Sequence, residues 1–309
     1  MTQRKLLLAA STGGHLAQLI RMAPALGASD DSLWVTFRTP QSESLLRGRR
    51  VMYVPYIRAR DLSGTLAAAR LIGQALKNEA FSEAISTGSA IALSALPMAR
   101  AHGVPATYIE SISRVNGPSL SGRLLAASQL VQVRTQHPSW ADRRWQSHPP
   151  VLATYQSNER QVTHSPRLFV TLGTIEGFRF DSLVDQVLAS GLANETTTWQ
   201  LGHTNREGLP GRSYLQMPAE DFVSAARSAD VVISHAGVGT LLQLLDEGIY
   251  PVLVTRRRDR GEHVDDHQMQ IAGTVNELNI GFACDAPELT RDSIIQASGR
   301  YVVGASASV

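Results

Sequence analysis

Short apolar segments alternate with longer segments of helical periodicity along the N-terminal half of the chain. Apolar runs of strand length occupy residues 5–11, 32–37, 50–56, 83–86 and 107–110. Apolar side chains recur at helical spacing over residues 16–26, 65–77 and 91–101. Because proline removes a helical hydrogen bond, we expect a kink or a break at Pro97. Strands that alternate with helices in this way predict βαβ units and a parallel sheet.

The regular pattern stops over residues 136–167, where prolines and polar residues cluster as in a linker or a loop at a domain edge. It begins again with predicted strands at residues 168–172, 199–201, 231–234 and 252–254 and predicted helices at 180–188 and 240–246. We therefore predict an α/β protein with two Rossmann-like doubly wound domains, residues 1–157 and 158–309, that face a cleft. Ligands of such sheets bind at the carboxyl ends of the strands.

A glycine-containing loop between a predicted strand and a predicted helix is the clearest candidate for a binding site. It lies within residues 231–246, and the helix start places free backbone N–H groups at the positive end of a helix dipole. A phosphate binds well at such a position. Gly237 and Gly239 match the first two glycines of the dinucleotide fingerprint, but Leu242 occupies the place of the third. The loop therefore predicts a phosphate site and gives no support to NAD.

A second glycine turn ends the first predicted strand. Gly13 and Gly14 allow the backbone to approach a ligand closely, and His15 stands at the start of the following helix. The helix dipole disfavours the cationic form of an imidazole there, so His15 is a candidate neutral base near pH 7. The alternative is a histidine that packs or caps the helix.

A carboxylate follows the predicted strand at residues 107–110. Glu110 lies at the carboxyl end of that strand, where it is suited to accept a proton or to hold a hydroxyl group. An ion pair between Glu110 and Arg114 explains the same residue equally well.

Residues 262–268 (EHVDDHQ) form a dense group of polar side chains. His263 and His267 are four residues apart, as zinc ligands on one helix face would be. The zincin pattern requires glutamate directly after the first histidine, and Val264 stands there instead. We therefore favour hydrogen bonding to a polyhydroxylated ligand over a metal, and expect no metal site.

The composition is that of a soluble globular protein. The chain has 309 residues, of which 43% are hydrophobic and 18% charged, and this length suits two domains. No apolar run approaches the ~20 residues needed to cross a bilayer. We expect a cytoplasmic protein, or one held at the inner surface of the cell membrane.

The net charge of +2 hides a difference between the two halves. Residues 1–157 contain 17 Lys and Arg against 8 Asp and Glu, and residues 158–309 contain 12 against 19. The basic half is suited to anionic lipid or a pyrophosphate, although domain docking and solubility explain the bias equally well. The basic residues are scattered and no nucleic-acid-binding motif is present, so we do not expect a nucleic acid partner.

Several segments in register resemble a known family. The C-terminal half is similar to the donor-binding domain of MurG-related glycosyltransferases, including the catalytic subunit of the two-subunit UDP-GlcNAc transferase of lipid-linked oligosaccharide assembly, at residues 169–174 (FVTLGT), 200–203 (QLGH), 233–240 (ISHAGVGT) and 262–268. The N-terminal half resembles the membrane-recruiting partner subunit, at residues 11–16 (STGGHL), 108–115 (YIESISRV) and 119–125 (SLSGRLL). Bacterial exopolysaccharide and capsule transferases of the PssD/PssE kind share this division, and here both halves lie in one chain.

The resemblance implies a GT-B fold and an inverting, metal-independent transfer that needs no cofactor. The donor would be a UDP-sugar, and the acceptor a saccharide linked to polyprenyl diphosphate at the cytoplasmic membrane surface. The sugar stays open among GlcNAc, glucuronic acid, glucose and galactose. A glucuronate carboxylate would suit the arginines at residues 256–258, although a solvated arginine run is the stronger explanation of them.

The resemblance also implies a set of site residues. The catalytic base would be His15 or Glu110, and the acceptor would bind near Gly13, Gly14 and Arg114. Donor-binding residues would be Gly173, Thr174, His203, His235, Ala236, Gly237, Gly239, Thr240, Glu262, Asp266, His267 and Gln268. Two other functions compete with this one: a UDP-GlcNAc 2-epimerase-like enzyme, and a non-catalytic scaffold that recruits a separate transferase.

Overall fold

The chain forms two compact units. A computed structural model describes residues 3–58, 61–174, 176–263 and 267–304, apart from the side chain of His267. The units comprise Met1–Val151 and Leu152–Val309. Within the described residues, none of the helices combines the length and the apolar content that a bilayer crossing requires.

The N-terminal unit is built on a seven-stranded parallel sheet. Its strands are β1 (Leu6–Ala10), β2 (Leu33–Phe37), β3 (Arg50–Val54), β4 (Glu83–Gly88), β5 (Ala106–Ile109), β6 (Gln132–Thr135) and β7 (Trp145–Ser147). Its helices are α1 (Gly14–Met22), α2 (Pro40–Leu45), α3 (Leu62–Asn78), α4 (Ala90–Ala101) and α5 (Leu120–Ser128).

The strand order of this sheet reverses beside its first strand. The order is β3-β2-β1-β4-β5-β6-β7, so the chain leaves β1 in one direction and returns to its other side through β4. Every residue of β1 is buried, because helices cover both faces of a sheet wound in this way. The crevice outside the carboxyl ends of β1 and β4 is the usual ligand position in such folds.

Helix α4 continues through Pro97, so the break that we considered there is absent. The proline costs one backbone hydrogen bond, but the helix is held by packing along a broad buried face. The side chains of that face are Ile91, Ala92, Ala95, Leu96 and Ala99.

The C-terminal unit repeats the doubly wound plan. Its strands are β8 (Tyr155–Glu159), β9 (Leu168–Thr171), β10 (Thr198–Gln200), β11 (Arg212–Tyr214), β12 (Val231–His235), β13 (Val252–Thr255), β14 (Phe282–Asp285) and β15 (Arg300–Gly304). Its helices are α6 (Asp181–Ala189), α7 (Ala219–Ser228), α8 (Val238–Asp246), α9 (His267–Glu277) and α10 (Arg291–Ser298). The parallel sheet has the order β11-β10-β9-β12-β13-β14, which reverses between β9 and β12. The predicted fold class of two Rossmann-like units is confirmed.

The region between the two sheets is more regular than we expected. The division between the units falls within residues 136–167, as the predicted domain edge requires, but this segment also contains β7 and β8, which we did not predict. Both strands are short and mostly exposed, and they therefore lack the apolar alternation that marks a strand in a sequence. Strand β8 pairs antiparallel with β15, which places it in the C-terminal unit and sets the division of the chain before β8, at Val151 rather than after residue 157.

Candidate active site

A histidine lies between two glycines at the point where the strand order of the C-terminal sheet reverses. His235 is the last residue of β12, and Gly173 follows β9 with a φ of +77°. A Cβ atom at Gly173 would lie 2.7 Å from Cε1 of His235, and a Cβ atom at Gly237 would overlap Nε2. The imidazole therefore fills the space between the two turns, and no larger residue fits at either glycine without displacing it.

The surroundings of His235 keep its imidazole neutral. Burial, together with the smaller effect of the positive charge of Arg256, lowers the pKa of His235 to about 3. His263 acts in the same direction, whereas the Thr171 carbonyl opposes them. His235 is therefore uncharged at any physiological pH and contributes no positive charge to the site.

Helix α8 begins beside this histidine, and no side chain caps its first backbone amides. Gly237 is its N-cap and supplies no side-chain hydrogen bond, and the first helical bond runs from the Leu241 N–H to the Gly237 carbonyl at 2.9 Å. The amides of Val238, Gly239 and Thr240 therefore have no acceptor within the helix. An anion is favoured there by the three N–H groups and by the helix dipole.

This helix starts earlier than we predicted. We placed residues 235–239 in a loop and the helix start at Thr240, whereas α8 begins at Val238. Gly239 and Thr240 thus belong to the first helical turn, and the loop itself consists of Ala236 and Gly237. The two-residue connection brings the free amides directly to the end of β12.

The loop after β10 packs onto the Gly173 turn. Gly202 has a φ of +58°, and a Cβ atom there would overlap the Gly173 carbonyl oxygen. This close approach places His203 and Thr174, both exposed, on neighbouring turns at the carboxyl edge of the sheet. Sequence reasoning included His203 but overlooked Gly202, although a glycine after a strand was a visible signal.

A buried arginine ties the loops of this edge together. Arg256 follows β13, is only 1% exposed, and lies over the Phe180 ring at 4.6 Å. Its guanidinium donates to the carbonyl oxygens of Leu172 at 2.6 Å and Glu262 at 2.9 Å. Burial lowers the pKa of Arg256 to about 10, so the group stays charged at neutral pH. Arg256 is neither a solvated arginine nor a free partner for a sugar carboxylate.

The carboxylate of Glu262 is turned into the protein. One oxygen accepts from the Ser182 hydroxyl, and the other accepts from the Arg257 N–H at 2.9 Å and from Nε of Arg260 at 3.1 Å. Glu262 is buried. We expected this side chain to face a donor sugar, but its contacts instead brace the loop that follows β13.

The rest of the predicted polar segment is only partly described. Oε1 of Gln268 accepts from the backbone N–H of Arg256 at 3.0 Å, so this side chain also holds the loop after β13. Asp266 and the side chain of His267 lie outside the described residues. The predicted placement of His263 and His267 on one helix face therefore also lies outside the described residues.

The strand reversal of the N-terminal sheet also carries a histidine. Nδ1 of His15 donates to the Thr87 carbonyl at the end of β4, at 2.6 Å, and the Thr87 hydroxyl donates to the His15 carbonyl at 2.8 Å. With its proton on Nδ1, the neutral ring presents an unprotonated Nε2, which can accept a proton. A Cβ atom at Gly88 would lie 2.9 Å from Cε1 of His15, so this ring too is packed against a glycine.

The pKa of His15 is lowered, as a neutral base requires. We expected the helix dipole to cause this shift, but burial of the ring is the main cause. The Thr87 carbonyl and the charge of Glu110 raise the pKa of His15, and Arg114 lowers it.

Glu110 has both carboxylate oxygens engaged. Oε1 accepts from the Tyr108 hydroxyl at 2.9 Å and the Ser111 N–H at 3.1 Å. Oε2 accepts from the N–H and the hydroxyl of Ser119 at 2.8 and 2.9 Å. Glu110 is buried, and a carboxylate has about four acceptor positions, so these four donors leave it little capacity for a substrate proton.

The turn before His15 is held by side-chain amides. The Gly13 N–H donates to Oε1 of Gln41 at 2.8 Å, and Nε2 of Gln18 donates to the Gly14 carbonyl at 3.0 Å. Gln18 is fully buried and also accepts from the Ile112 N–H at 2.9 Å. Arg114, on the loop after β5, lies close enough to lower the pKa of His15. Gly13, Gly14, His15 and Arg114 are thus brought to one edge of the N-terminal sheet.

Comparison with known proteins indicates the class of enzyme. Residues 169–296 match the glycosyltransferase family 28 C-terminal domain. Over 97% of its length the chain is 25% identical to the UDP-N-acetylglucosamine--N-acetylmuramyl-(pentapeptide) pyrophosphoryl-undecaprenol N-acetylglucosamine transferase of Synechococcus sp. (strain CC9311), of which it covers 89%. The chain is a glycosyltransferase that is similar to MurG.

Solved structures show the same fold. Acinetobacter baumannii MurG matches with a TM-score of 0.58 and 18% identity, over 94% of this chain and 89% of that chain. The glycosyltransferase SnogD from Streptomyces nogalater matches with a TM-score of 0.58 and 16% identity, over 96% and 90%. The chain therefore has the GT-B fold, and these similarities at low identity concern the fold alone.

The contact between His235 and Gly237 generates a test of the C-terminal site. Gly237→Ala should lower the free energy of unfolding by about 1–3 kcal/mol, the usual cost of overpacking. His235→Ala removes the ring that the new methyl group meets, so the double variant should be more stable than the sum of the single effects by about 1 kcal/mol or more. Chemical denaturation of all four proteins measures this coupling.

Gly273→Ala is the matched control, because a Cβ atom there meets nothing within 4 Å. It should raise the free energy of unfolding by up to about 1 kcal/mol, because alanine favours the helix more than glycine, and show no coupling to His235→Ala. Strict additivity between Gly237→Ala and His235→Ala would contradict the packing described above.

The environment of His15 generates a second test. An NMR titration of its ring should give a midpoint below 6.5, because burial disfavours the imidazolium more than Glu110 and the Thr87 carbonyl favour it. The same resonance in the unfolded protein should titrate near the ordinary value of 6.5. A folded-state midpoint at or above 6.5 would show that His15 is not held neutral.

Proposed function

We propose that this glycosyltransferase moves a sugar from a UDP-sugar to a saccharide linked to polyprenyl diphosphate, with inversion at the anomeric carbon and without a metal or another cofactor. The observation that carries the proposal is the uncapped start of α8 beside a neutral His235. The Synechococcus relative is named as using a UDP-sugar and a pyrophosphoryl-undecaprenol acceptor, which supports the same pair of substrates here.

The diphosphate of the donor is assigned to the start of α8. Its oxygens would accept from the amides of Val238, Gly239 and Thr240, with the Gly173 and Thr174 turn beside them. As the bond from the anomeric carbon to the diphosphate oxygen breaks, its electron pair passes to that oxygen. Fixed amide dipoles stabilise this developing charge without the reorganisation that water would need. The neutral His235 fills the space behind the turn without adding a proton of its own.

The sugar of the donor is assigned to the turns around this site. His203 on the loop after β10 and Gln268 in α9 carry groups that hydrogen-bond hydroxyls. Asp266 and His267 are assigned the same role from the sequence, since Asp266 and the side chain of His267 lie outside the described residues. Glu262 acts indirectly, by bracing the loop after β13. GlcNAc is the sugar named for the Synechococcus relative, and glucuronic acid, glucose and galactose are the alternatives.

The acceptor hydroxyl is assigned to the N-terminal unit, where His15 is the base. As the hydroxyl oxygen attacks the anomeric carbon from the face opposite to UDP, its proton passes to Nε2 of His15. His15 is favoured over Glu110 because the Thr87 carbonyl binds its Nδ1 proton and leaves Nε2 as a proton acceptor, whereas four donors occupy Glu110. Gly13, Gly14 and Arg114 lie beside His15 and would contact the acceptor.

The outer surface of the N-terminal unit supports peripheral binding to the cytoplasmic membrane. Leu62 and Leu66 on α3 are 78% and 60% exposed, and Leu120 and Leu124 on α5 are 62% and 51% exposed. Both helices pack against α4, so the four leucines belong to one side of the sheet. Exposed leucines in a basic half suit an anionic bilayer surface. A lipid-linked acceptor of exopolysaccharide or capsule synthesis would be met there.

The assignment of the base is tested by substitution of His15. His15→Ala should lower kcat by about 10²- to 10⁴-fold, the usual contribution of a general base, while UDP binding by calorimetry stays unchanged. His102→Ala, at the far end of α4, is the control and should keep its activity. Wild-type turnover by His15→Ala would remove the base assignment, and an epimerised UDP-sugar without any acceptor would support the epimerase alternative.

The membrane assignment is tested by vesicle sedimentation. The double variant Leu120→Ser and Leu124→Ser should bind vesicles containing anionic lipid at least about tenfold more weakly, since each buried leucine contributes about 1.5–3 kcal/mol. Leu278→Ser, on the C-terminal unit, is the control for an exposed leucine elsewhere. Equal binding by the wild type and the double variant would exclude this surface.

A further inference from the structure

We propose that Glu110 is a positioning residue that fastens the start of α5 to the end of β5 and so fixes this helix relative to His15. The inference rests on the proposed function in one respect, the assignment of α5 to the acceptor and membrane side. It gives Glu110 a role other than that of a base.

The contacts of Glu110 join two elements that are separate in sequence. Its backbone follows β5, and its Oε2 accepts both the N–H and the hydroxyl of Ser119, the N-cap of α5. The Ser119 hydroxyl oxygen in turn accepts from the Gly122 N–H at 3.1 Å. A buried carboxylate at a helix N-terminus is stabilised by the dipole as well as by these bonds. The first turn of α5 is therefore built around the Glu110 side chain.

Gly122 shows how closely the helix approaches this carboxylate. A Cβ atom at Gly122 would overlap Oε2 of Glu110 and would lie 3.0 Å from the Trp145 ring and 3.2 Å from Cε1 of Tyr108. A glycine in the interior of a helix costs about 1 kcal/mol relative to alanine. The close packing of α5 against Glu110 therefore requires glycine at position 122.

The same network reaches the base. The Tyr108 hydroxyl donates to Oε1 of Glu110 at 2.9 Å and lies 3.2 Å from the Ser119 hydroxyl oxygen. A Cβ atom at Gly88 would lie 3.3 Å from that Tyr108 hydroxyl and 2.9 Å from Cε1 of His15. The sequence of packed groups from His15 through Gly88, Tyr108 and Glu110 to α5 is therefore continuous.

This arrangement accounts for the orientation of the exposed face of α5. Leu120 and Leu124 point outward while Gly122 and Leu125 are buried against the unit. Since the first turn of α5 is anchored at Ser119, a lipid-linked acceptor bound along the outer face of α5 would be held at a fixed position relative to His15. Loss of the contacts between Glu110 and α5 should therefore weaken acceptor binding and leave donor binding unchanged.

Three variants and one control test the proposal by steady-state kinetics with a UDP-sugar and a polyprenyl-diphosphate-linked saccharide. Ser119→Ala, Gly122→Ala and Glu110→Gln each weaken the anchor, and Ser128→Ala removes a hydroxyl from the other end of α5. The first three should raise the KM for the acceptor by about five- to tenfold, the effect of losing one charge-assisted hydrogen bond, with the KM for the donor unchanged and kcat within about twofold. Ser128→Ala should match the wild type.

The pH profile separates an anchor from a base. Groups that act on His15 are the charges of Glu110 and Arg114 and the Thr87 carbonyl, with the Tyr108 hydroxyl close by across Gly88. Glu110 raises the pKa of His15, so Glu110→Gln should move the acid limb of kcat to lower pH and preserve it. A fall in kcat of about a hundredfold or more, with the limb abolished and both KM values unchanged, would make Glu110 the base and overturn the proposal.

Hydrogen exchange tests the anchor without turnover. Amides in the first two turns of α5 should exchange faster in Ser119→Ala and Glu110→Gln than in the wild type, and those of α4 should not. This result in a protein that transfers no sugar would leave the anchor standing while the proposed function failed. Unchanged exchange in α5, or equal effects of Ser119→Ala and Ser128→Ala, would refute the anchor.

Discussion

Both candidate sites depend on one packing constraint. In each parallel sheet, a histidine ring packs against the end of the neighbouring strand at the point where the strand order reverses. His15 bonds the end of β4 through Thr87, and His235 fills the space beside the turn after β9. Glycines must line both rings, because a Cβ atom at Gly88, Gly173 or Gly237 would meet the imidazole. These packed rings set the separation of the loops from which each site is built.

Burial gives both histidines lowered pKa values, but their surroundings suit them to different work. His15 has its Nδ1 proton bound by a carbonyl, so its second nitrogen is oriented as an acceptor. His235 lies beside the buried charge of Arg256, so it remains neutral over the whole working range of pH. In the proposed mechanism the donor site therefore relies on backbone amides for its positive potential, and proton transfer is assigned to the N-terminal unit.

Charged side chains that look like ligands in the sequence hold the loops instead. Arg256 donates to main-chain oxygens of the loop after β9 and of the loop after β13, and Glu262 accepts from Ser182, Arg257 and Arg260. Glu110 does the same at the start of α5. Burial of these charged groups is tolerated because each makes several hydrogen bonds. Their substitution should act on loop positions rather than on chemistry directly.

Local pattern was enough to predict the two doubly wound units, the glycine loop before α8 and the position of His15 at a helix start. It did not reveal the inward orientation of Glu262 or the anchoring role of Glu110, because their partners at Ser182 and Ser119 become neighbours only through the fold. It also missed β7 and β8, whose exposed polar residues lack a hydrophobic period. Periodicity thus reports burial along one element, whereas the roles of polar residues depend on contacts between elements.

A crystal structure of the complex with UDP is the most direct test of the central claim. The account predicts diphosphate oxygens within about 3 Å of the amide nitrogens of Val238, Gly239 and Thr240, with the His235 ring still packed between Gly173 and Gly237. A diphosphate bound away from the start of α8, or a His235 ring displaced and protonated to contact it, would contradict the account.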